Sequence, residues 1–440
     1  MTQRFNEWSA AQKIESKLTL ASFGGLRGAA VASDLEAETR LVEVPFASAL
    51  AVTPGMPCPL PATWCSRETW QRQPPFVKMA LLLLHHRSMG AESRLAAYLA
   101  ALPSEFDTLL HWSPAELALL QYPHALELQS RRKREVRGYY DSLRASSPSF
   151  PPSADEWTWA MDCVQSRLFS GPYAGRSLAA RAQLATVVLG LAVGYAVGHP
   201  PTPCGDQGTL WMMHGCSDPQ ALGLGPAEQA LNGAIAALAF NLIYDSVISQ
   251  KLSWFAMCPV IDMINHSSSV QSEVSYQYFS DRFTVECGRK FRRGEQALIS
   301  YGGKSNDQLL LYYGFAEEGN PNDSYVLGGE GLRGRVREAA GGKDLPGPLP
   351  EELVVTRQGL TEVSLEGLAS ALGTDAAAAR AVGLRLLEQE MGSKATSLGE
   401  DEGALAKRGK MGSREQVALV FRLEKKRVLA DALKAMRARA

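Results

Sequence analysis

Two stretches of the chain decide its fold. The first is Pro259-Val260-Ile261-Asp262-Met263-Ile264-Asn265-His266-Ser267. The second is Gly294-Glu295-Gln296-Ala297-Leu298-Ile299-Ser300-Tyr301-Gly302, running through Lys304-Ser305-Asn306 to Tyr312-Tyr313-Gly314-Phe315. Each is a short apolar run that ends in polar residues, the pattern of a buried strand delivering side chains at its edge. Taken singly, each has an ordinary reading. Asn-His after an apolar run makes a turn, and a lone tyrosine is most often a core or edge residue. Asn265-His266-Ser267 and Asn322-Asp323-Ser324 are formally glycosylation sequons, a reading the preceding apolar run argues against in the first case. Their order and separation give the two stretches a joint meaning.

Outward from them, Ser275-Tyr276-Gln277-Tyr278-Phe279 and Phe283-Thr284-Val285-Glu286-Cys287 flank Ser280-Asp281-Arg282 and predict a hairpin. Nearer the start, Leu41-Val42-Glu43-Val44-Pro45 and Ala49-Leu50-Ala51-Val52 read as short strands, preceded by a flexible loop at Gly24-Gly25-Leu26-Arg27-Gly28. From Pro75 to Leu143 the period is helical, and Ser113-Pro114-Ala115-Glu116 is a helix start with serine cap, proline and glutamate in register. Arg131-Arg132-Lys133-Arg134 in this region predicts a solvated helix face. Residues 171–250 are rich in uncharged runs and predict buried or partner-facing helices. Leu184 to Val197 is too short to cross a bilayer, which needs about 20 residues. Beyond Asn320-Pro321 the chain is predicted helical again, with a Gly/Pro loop over 341–350 and a polar, mobile linker over 392–412. It closes on an amphipathic helix whose stripe includes Val417, Phe421, Val428, Leu429 and Leu433.

Bulk composition excludes several classes. With 45 Lys and Arg against 46 Asp and Glu in 440 residues, no global attraction to nucleic acid or an anionic membrane follows. Seven cysteines without a Cys-x-x-Cys pair read as reduced thiols and give no zinc-cluster spacing. His85-His86 are adjacent and cannot share a helical face, so no metal site is expected from them. The opening residues have no secretory or acid-poor transit pattern.

Together the Asn-His and Tyr segments resemble the signature motifs of the SET-domain protein methyltransferases, and more closely the Rubisco large-subunit methyltransferase group. Phe23 to Val52, Ser93 to Gln121, Arg167-Leu168-Phe169-Ser170 and Arg422 to Leu433 are similar to other parts of that group. The resemblance implies an α+β fold: a SET domain over 1–318, with a helical insert at 67–150 and an apolar insertion at 171–250. An all-α substrate-binding domain over 319–440 would follow it. It implies S-adenosylmethionine as co-substrate, with the backbone at Leu26, Arg27 and Gly28 against its methionine part and Arg167 near its carboxylate. Asn265 and His266 would bind its amino group and adenine, and Phe315 would border the adenine. Tyr301 would stand at the methyl-transfer point, Tyr313 would line the acceptor channel, and Asp262 and Arg167 would lie near the substrate entrance.

That chemistry needs no metal and no covalent intermediate, only alignment of acceptor nitrogen, methyl carbon and sulfur. The chain departs from the family pattern in two places. Leu26 stands where the family's Gly-x-Gly has its first glycine, so a Cβ there is expected to crowd the cofactor. Residues 171–250 replace a short connection and would carry a partner surface or restrict access.

The resemblance further implies a protein substrate, such as the plastid Rubisco large subunit or aldolase, and a chloroplast setting, with the cytoplasm as alternative. Beside lysine methylation stand histidine methylation and a non-catalytic scaffold in a plastid transcription complex. Eleven Lys and Arg lie from Lys407 onward against Glu415, Glu424 and Asp431, which leaves nucleic-acid contact open and otherwise predicts a solvated helix back face.

Overall fold

The computed structural model describes residues 3–24, 26–147, 149–172, 253–277, 280–407, 409 and 412–439. The expected helices of the 171–250 insertion lie almost wholly outside the described residues, as does Gly25.

Three small sheets build the first part of the molecule. β1 (Glu15–Ser16), β4 (Arg40–Pro45), β10 (Arg282–Glu286) and β9 (Ser275–Gln277) make one, in that order. β2 (Leu18–Phe23), β3 (Leu26–Val31), β11 (Gln296–Ile299) and β8 (Asn265–His266) make the second. β5 (Leu50–Val52), β7 (Ser253–Met257) and β6 (Phe169–Pro172) make the third. The strands Leu41–Pro45 and Ala49–Val52 and the hairpin around Asp281 fall where the sequence places them. The expected flexible loop at 24–28 is instead a hairpin: β2 and β3 pair without interruption from Leu18↔Val31 to Phe23↔Leu26. Gly24 turns it with φ 58°, a conformation that costs glycine little.

Helix α1 (Gln3–Ala11) precedes the sheets. Helices α2 (Arg67–Arg72), α3 (Pro75–Ser88), α4 (Ala96–Leu99), α5 (Pro114–Ala118) and α6 (Pro123–Ser146) fill the insert between β5 and β6. Ser113 caps α5 in a full capping box with Glu116, as expected. The tetrad on α6 is not a uniformly solvated face. Arg132 is 3% exposed, pairs with Glu135 at 2.8 Å and lies over the Tyr312 ring. Helix α7 (Ala154–Arg167), started by a Ser153–Glu156 capping box, delivers Arg167 at its last position. Trp70, Trp157, Trp254 and Phe283 are fully buried in the core shared by these sheets and helices.

Helix α8 (Asn306–Tyr313) follows the Tyr301 segment and ends at Gly314, in the left-handed conformation with φ 78°. A Cβ on Gly314 would collide with the Asp107 carbonyl oxygen, so glycine alone allows α8 to end against the insert. The segment after 318 is not all-helical. β12 (Tyr325–Leu327), β13 (Leu353–Thr356) and β14 (Gly359–Leu360) form a fourth sheet. Its partners are α9 (Leu332–Ala339), α10 (Glu362–Leu372), α11 (Ala376–Gly392), α12 (Leu398–Leu405) and α13 (Ser413–Arg437). Val354 and Val355 in β13 are β-branched and suit a half-buried pleat, a signal too short to stand out from a helical background. This second core also draws on Trp112, Leu120 and Tyr122 of the insert and Leu310 of α8.

The expected mobile linker at 392–412 holds α12, because Asp401 is a buried ion-pair partner. Arg422 and Lys426 on α13 both bond to it, and Lys426 is 1% exposed. The solvated back face predicted for the last helix holds for Lys434, Arg437 and Arg439 but not for Lys425 and Lys426. Lys425, 2% exposed, donates to Asp307 on α8, to Asp323 Oδ1 at 2.8 Å and to the Ser324 carbonyl at 2.6 Å. Arg414 and Arg427 also pair with carboxylates from partly buried positions, whereas Arg437 pairs with Glu388 at the surface. Among the described residues no helix is long and apolar enough to cross a membrane.

Lys425→Met leaves two buried carboxylates uncompensated, and breaking such a group costs about 3–5 kcal/mol. Urea unfolding is expected to show that loss. Lys434→Met, on the exposed side of the same helix, is expected to shift stability by less than about 0.5 kcal/mol.

Candidate active site

The site forms where β8 lies parallel to β11, with Asn265 opposite Leu298 and His266 opposite Ile299. Two residues make a strand only if other bonds hold them, and here they do. The Asn265 side chain donates from Nδ2 to the Arg27 carbonyl oxygen at 3.1 Å, tying the Asn-His turn to β3. A Cβ on Gly28 would stand 2.8 Å from that same Nδ2 and 2.8 Å from Gln296 Nε2. A side chain at 28 would therefore push Asn265 or Gln296 out of these positions. Leu26 is 70% exposed, so its side chain projects outward and does not crowd the strand contact.

Tyr301, just past β11, closes the arrangement. Its backbone N–H donates to His266 Nδ1 at 3.0 Å, and its hydroxyl donates to the Ile264 carbonyl at 2.8 Å. Its ring lies between His266 and Tyr313, each with a centroid 4.9 Å away and nearly parallel. Phe315 borders the stack, 6.1 Å from His266 and 6.2 Å from Tyr313. Burial pushes the Tyr301 hydroxyl up to about 12, with Arg167 acting against the rise and Asp262 with it. It is thus a protonated donor at neutral pH. Burial, together with Tyr301, raises Tyr313 as well.

His266 Nδ1 accepts from the Tyr301 N–H at 3.0 Å and also lies 3.3 Å from the Ile299 carbonyl oxygen. The shorter contact needs an acceptor there, which favours the neutral ring with its proton on Nε2, 3.5 Å from Glu317 Oε2. Burial holds His266 below its ordinary value, and Glu317 acts in the opposite sense. Glu317 is fixed in turn. Its Oε1 accepts from Ser268 N at 2.9 Å, and Asn306 bonds both its backbone N–H, at 2.9 Å, and its carbonyl, at 3.1 Å.

Arg167 and Asp262 lie on the other side. Arg167 Nη1 donates to the Asp262 carbonyl at 2.7 Å and approaches its carboxylate at 3.4 Å. Tyr98 donates to the same carboxylate at 2.6 Å. The Asp262 side chain is completely buried, so its expected place at a substrate entrance is corrected: it lies beneath Arg167 and orients it. Burial opposes both charges. Asp262 nevertheless holds Arg167 above its ordinary value, while burial outweighs Arg167 and raises Asp262. Val260, two residues earlier, has φ 73° and ψ −48°, a γ-turn geometry that strains a β-branched residue.

A cleft of about 280 Å³ opens here, lined by Arg167, Phe169, Glu273, Tyr301, Lys304 and Tyr313. Lys304, whose charge burial disfavours, has no carboxylate partner among the described residues. A larger, open groove of about 570 Å³ lies apart, lined by Glu127, Arg131, Glu330 and Glu352, and shares none of the residues of the cleft. Among the described residues no group of His, Cys, Asp and Glu is placed to hold a metal ion. The sequence reading assigned no role to Tyr98, Asn306, Glu317 or Glu273. Asn306 and Lys304 stood in the quoted Lys-Ser-Asn string, but Tyr98 and Glu317 gave no signal, because their partners are distant in sequence.

No family model matches the chain. It is 31% identical over 67 residues to SET domain-containing protein 4 of Homo sapiens, covering 15% of each chain. It is 30% identical over 86 residues to ribosomal lysine N-methyltransferase set11 of Schizosaccharomyces pombe, covering 20% of this chain and 22% of that one. The matched part thus spans less than a quarter of either relative. The likeness of structure is far more extensive. The crystal structure of the SET domain of LSMT bound to lysine and AdoHcy aligns with TM-score 0.60 at 16% identity, over 99% of this chain and 91% of that one. The structure of Rubisco LSMT bound to AdoMet aligns equally well, at 17% identity. The fold is α+β and of the SET type. In particular, its arrangement is similar to that of Rubisco LSMT.

Since folding lowers the basicity of His266, the unfolded chain binds more protons between the folded value and about 6.5. The His266 contribution to stability is complete above about 6.5 and is lost as pH falls toward the folded value. Unfolding free energies measured across this range should fall more steeply for the native chain than for His266→Gln. Nitrogen NMR at neutral pH should show the Nε2–H tautomer.

Proposed function

We propose that the chain is an S-adenosylmethionine-dependent protein N-methyltransferase acting on lysine. The observation that carries this reading is the fixed Tyr301 hydroxyl at a small aromatic-walled cleft that Arg167 also lines, beside the corner where the Asn265 side chain is tied to the Arg27 carbonyl.

The residues of that corner fit the cofactor. Gly28 lets β3 pass against Asn265 without a side chain, and Arg167 Nε is buried with no acceptor, as a donor awaiting an anion would be. Arg167 would take the carboxylate, carbonyl oxygens near Asn265 the ammonium, and His266 with Phe315 the adenine. Bound there, the cofactor supplies a methyl group on a positive sulfonium.

Every other contribution comes from the protein. A lysine acceptor starts as an ammonium with a reference value near 10.4 and must lose its proton. A cleft walled by Phe169, Tyr301 and Tyr313 disfavours the ammonium by desolvation, and the positive sulfonium would add repulsion, while Lys304 and Glu273 in its lining carry opposite charges. The neutral amine is then oriented by the Tyr301 oxygen and neighbouring carbonyls. Holding the reactants at in-line contact lowers the barrier by about 7–11 kcal/mol. Asp262 acts through Arg167, and Glu317 acts through His266. The region after residue 318 would dock a protein substrate, and a plastid protein with a chloroplast setting follows from the family resemblance of the motifs alone.

Calorimetry with S-adenosylmethionine tests the reading. Micromolar binding by the native chain, abolished in Asn265→Ala, is the expected result. No binding by a folded native chain would overturn the enzyme reading in favour of a scaffold. Tyr301→Phe should keep cofactor affinity while lowering the methyl-transfer rate about 10²-fold or more. Fragment mass spectrometry of the methylated product should place the label on lysine, and a label on histidine would correct the acceptor.

A further inference from the structure

The open groove beside α6 contains a polar group that the fold leaves unsatisfied. His124, in the first turn of α6, is 7% exposed, and its Nδ1 is buried without a hydrogen bond. That nitrogen faces two carboxylates from different elements. Glu127 Oε2, one turn on along α6, lies 3.4 Å away, and Glu352 Oε1, just ahead of β13, lies 4.0 Å away. A third, Glu330, lines the same recess of about 230 Å³ with His124 and Glu127. Gly328 and Gly329, after β12, complete its wall. A Cβ on Gly329 would stand 2.5 Å from Glu127 Oε1, and one on Gly328 would stand 3.3 Å from Glu352 Cγ. The two glycines thus leave room for both carboxylates to close in on the imidazole.

The positive groups nearby do not cancel this charge. Arg335 also lines the recess, but it is bonded to Glu390 at 2.8 Å and to the Gly328 carbonyl at 2.6 Å. Arg131 and Arg134 line the wider groove, about one and two turns beyond Glu127 along α6. Against these two stand Glu127, Glu330, Glu351 and Glu352, an excess of two negative charges. A proton on His124 would cancel one of them and leave the other. Leu126, 48% exposed, lines the groove as well and gives it an apolar surface beside the acidic recess.

We propose that this groove docks a basic segment of a protein partner, with an arginine or lysine side chain in the recess between Glu127, Glu330 and Glu352 and an apolar neighbour on Leu126. A guanidinium or ammonium brings donors alone, and the groups that converge on the recess are acceptors. They are the three carboxylates and, with the imidazole proton on Nε2, His124 Nδ1. The same charge rejects acidic or phosphorylated segments, which would meet carboxylates at close range. The recess shares no residue with the Tyr301 cleft, so a segment held here leaves that cleft open. The site is built where α6 of the insert meets the fourth sheet, and it stands independently of the methyltransferase reading.

The competing role is internal: a protonated His124 serves as the cation for Glu127 and Glu352, and nothing docks. Two blocked peptides separate the roles, Ala-Leu-Arg-Ala-Leu and the same peptide with citrulline, which keeps the shape of arginine without its charge. Binding to the full chain is followed by NMR of labelled imidazoles, with the His124 resonances assigned by their loss in His124→Gln. The arginine peptide should shift those resonances saturably and bind about tenfold or more tightly than the citrulline peptide. Glu127→Gln combined with Glu352→Gln should weaken the arginine peptide about tenfold. Glu366→Gln, at an exposed position on α10 outside the groove, should change it less than about twofold. Each variant is checked for a native thermal transition. Equal affinity for the two peptides, equal losses in the double variant and Glu366→Gln, or His124 resonances unmoved by the arginine peptide would overturn the docking site. The titrations contain no S-adenosylmethionine, so their outcome is separate from that of the cofactor measurement.

Discussion

The parallel contact between β8 and β11 is the constraint on which the rest of the site depends. It is only two residues long, yet it sets Asn265 against β3, His266 against Tyr301, and Tyr301 against the Ile264 carbonyl. A slip of one residue would turn Asn265 and His266 to opposite faces and break all three bonds together. So short a pairing cannot hold itself, and its support comes from side chains. Asn265 reaches back to β3, and the Tyr301 amide and hydroxyl each find an acceptor on the partner segment. The strained Val260 turn is tolerated because the buried Arg167–Asp262–Tyr98 group on one side and this pairing on the other leave the chain no alternative path.

Charge buried deep in the second core extends the constraint. Lys425 joins the last helix to Asp307 of α8 and to Asp323, and Asn306 bridges Asp323 to the backbone of Glu317, whose carboxylate faces His266. The helix farthest along the chain is thereby connected through hydrogen bonds to Glu317, whose carboxylate lies 3.5 Å from the imidazole of the Asn-His turn. Buried ion pairs of this kind contribute less to net stability than to selecting one arrangement, because any alternative packing strands a charge away from water.

Much of this fold is legible in the amino-acid order. The opening strands, the hairpin around Asp281, the Ser113 helix start and the amphipathic last helix depend on contacts within a few residues, so local pattern reports them. The strand at Tyr325, the helix at Leu398 and the inward lysines are not legible for the opposite reason. A three-residue strand carries too little period to be read, and Asp401 and Lys425 look solvated until their partners arrive from far along the chain.

The division holds for the site as well. The sequence by itself determined that Asn265, His266 and Tyr301 belong together, because the order and spacing of the motifs that carry them already narrow the chain to one kind of fold. Only the tertiary structure decided that Asp262 lies under Arg167 rather than at an entrance and that Leu26 points outward. Those outcomes depend on burial and on the direction of side chains across strands. Neither is a property of a residue, since both are set by which distant segments exclude water around it.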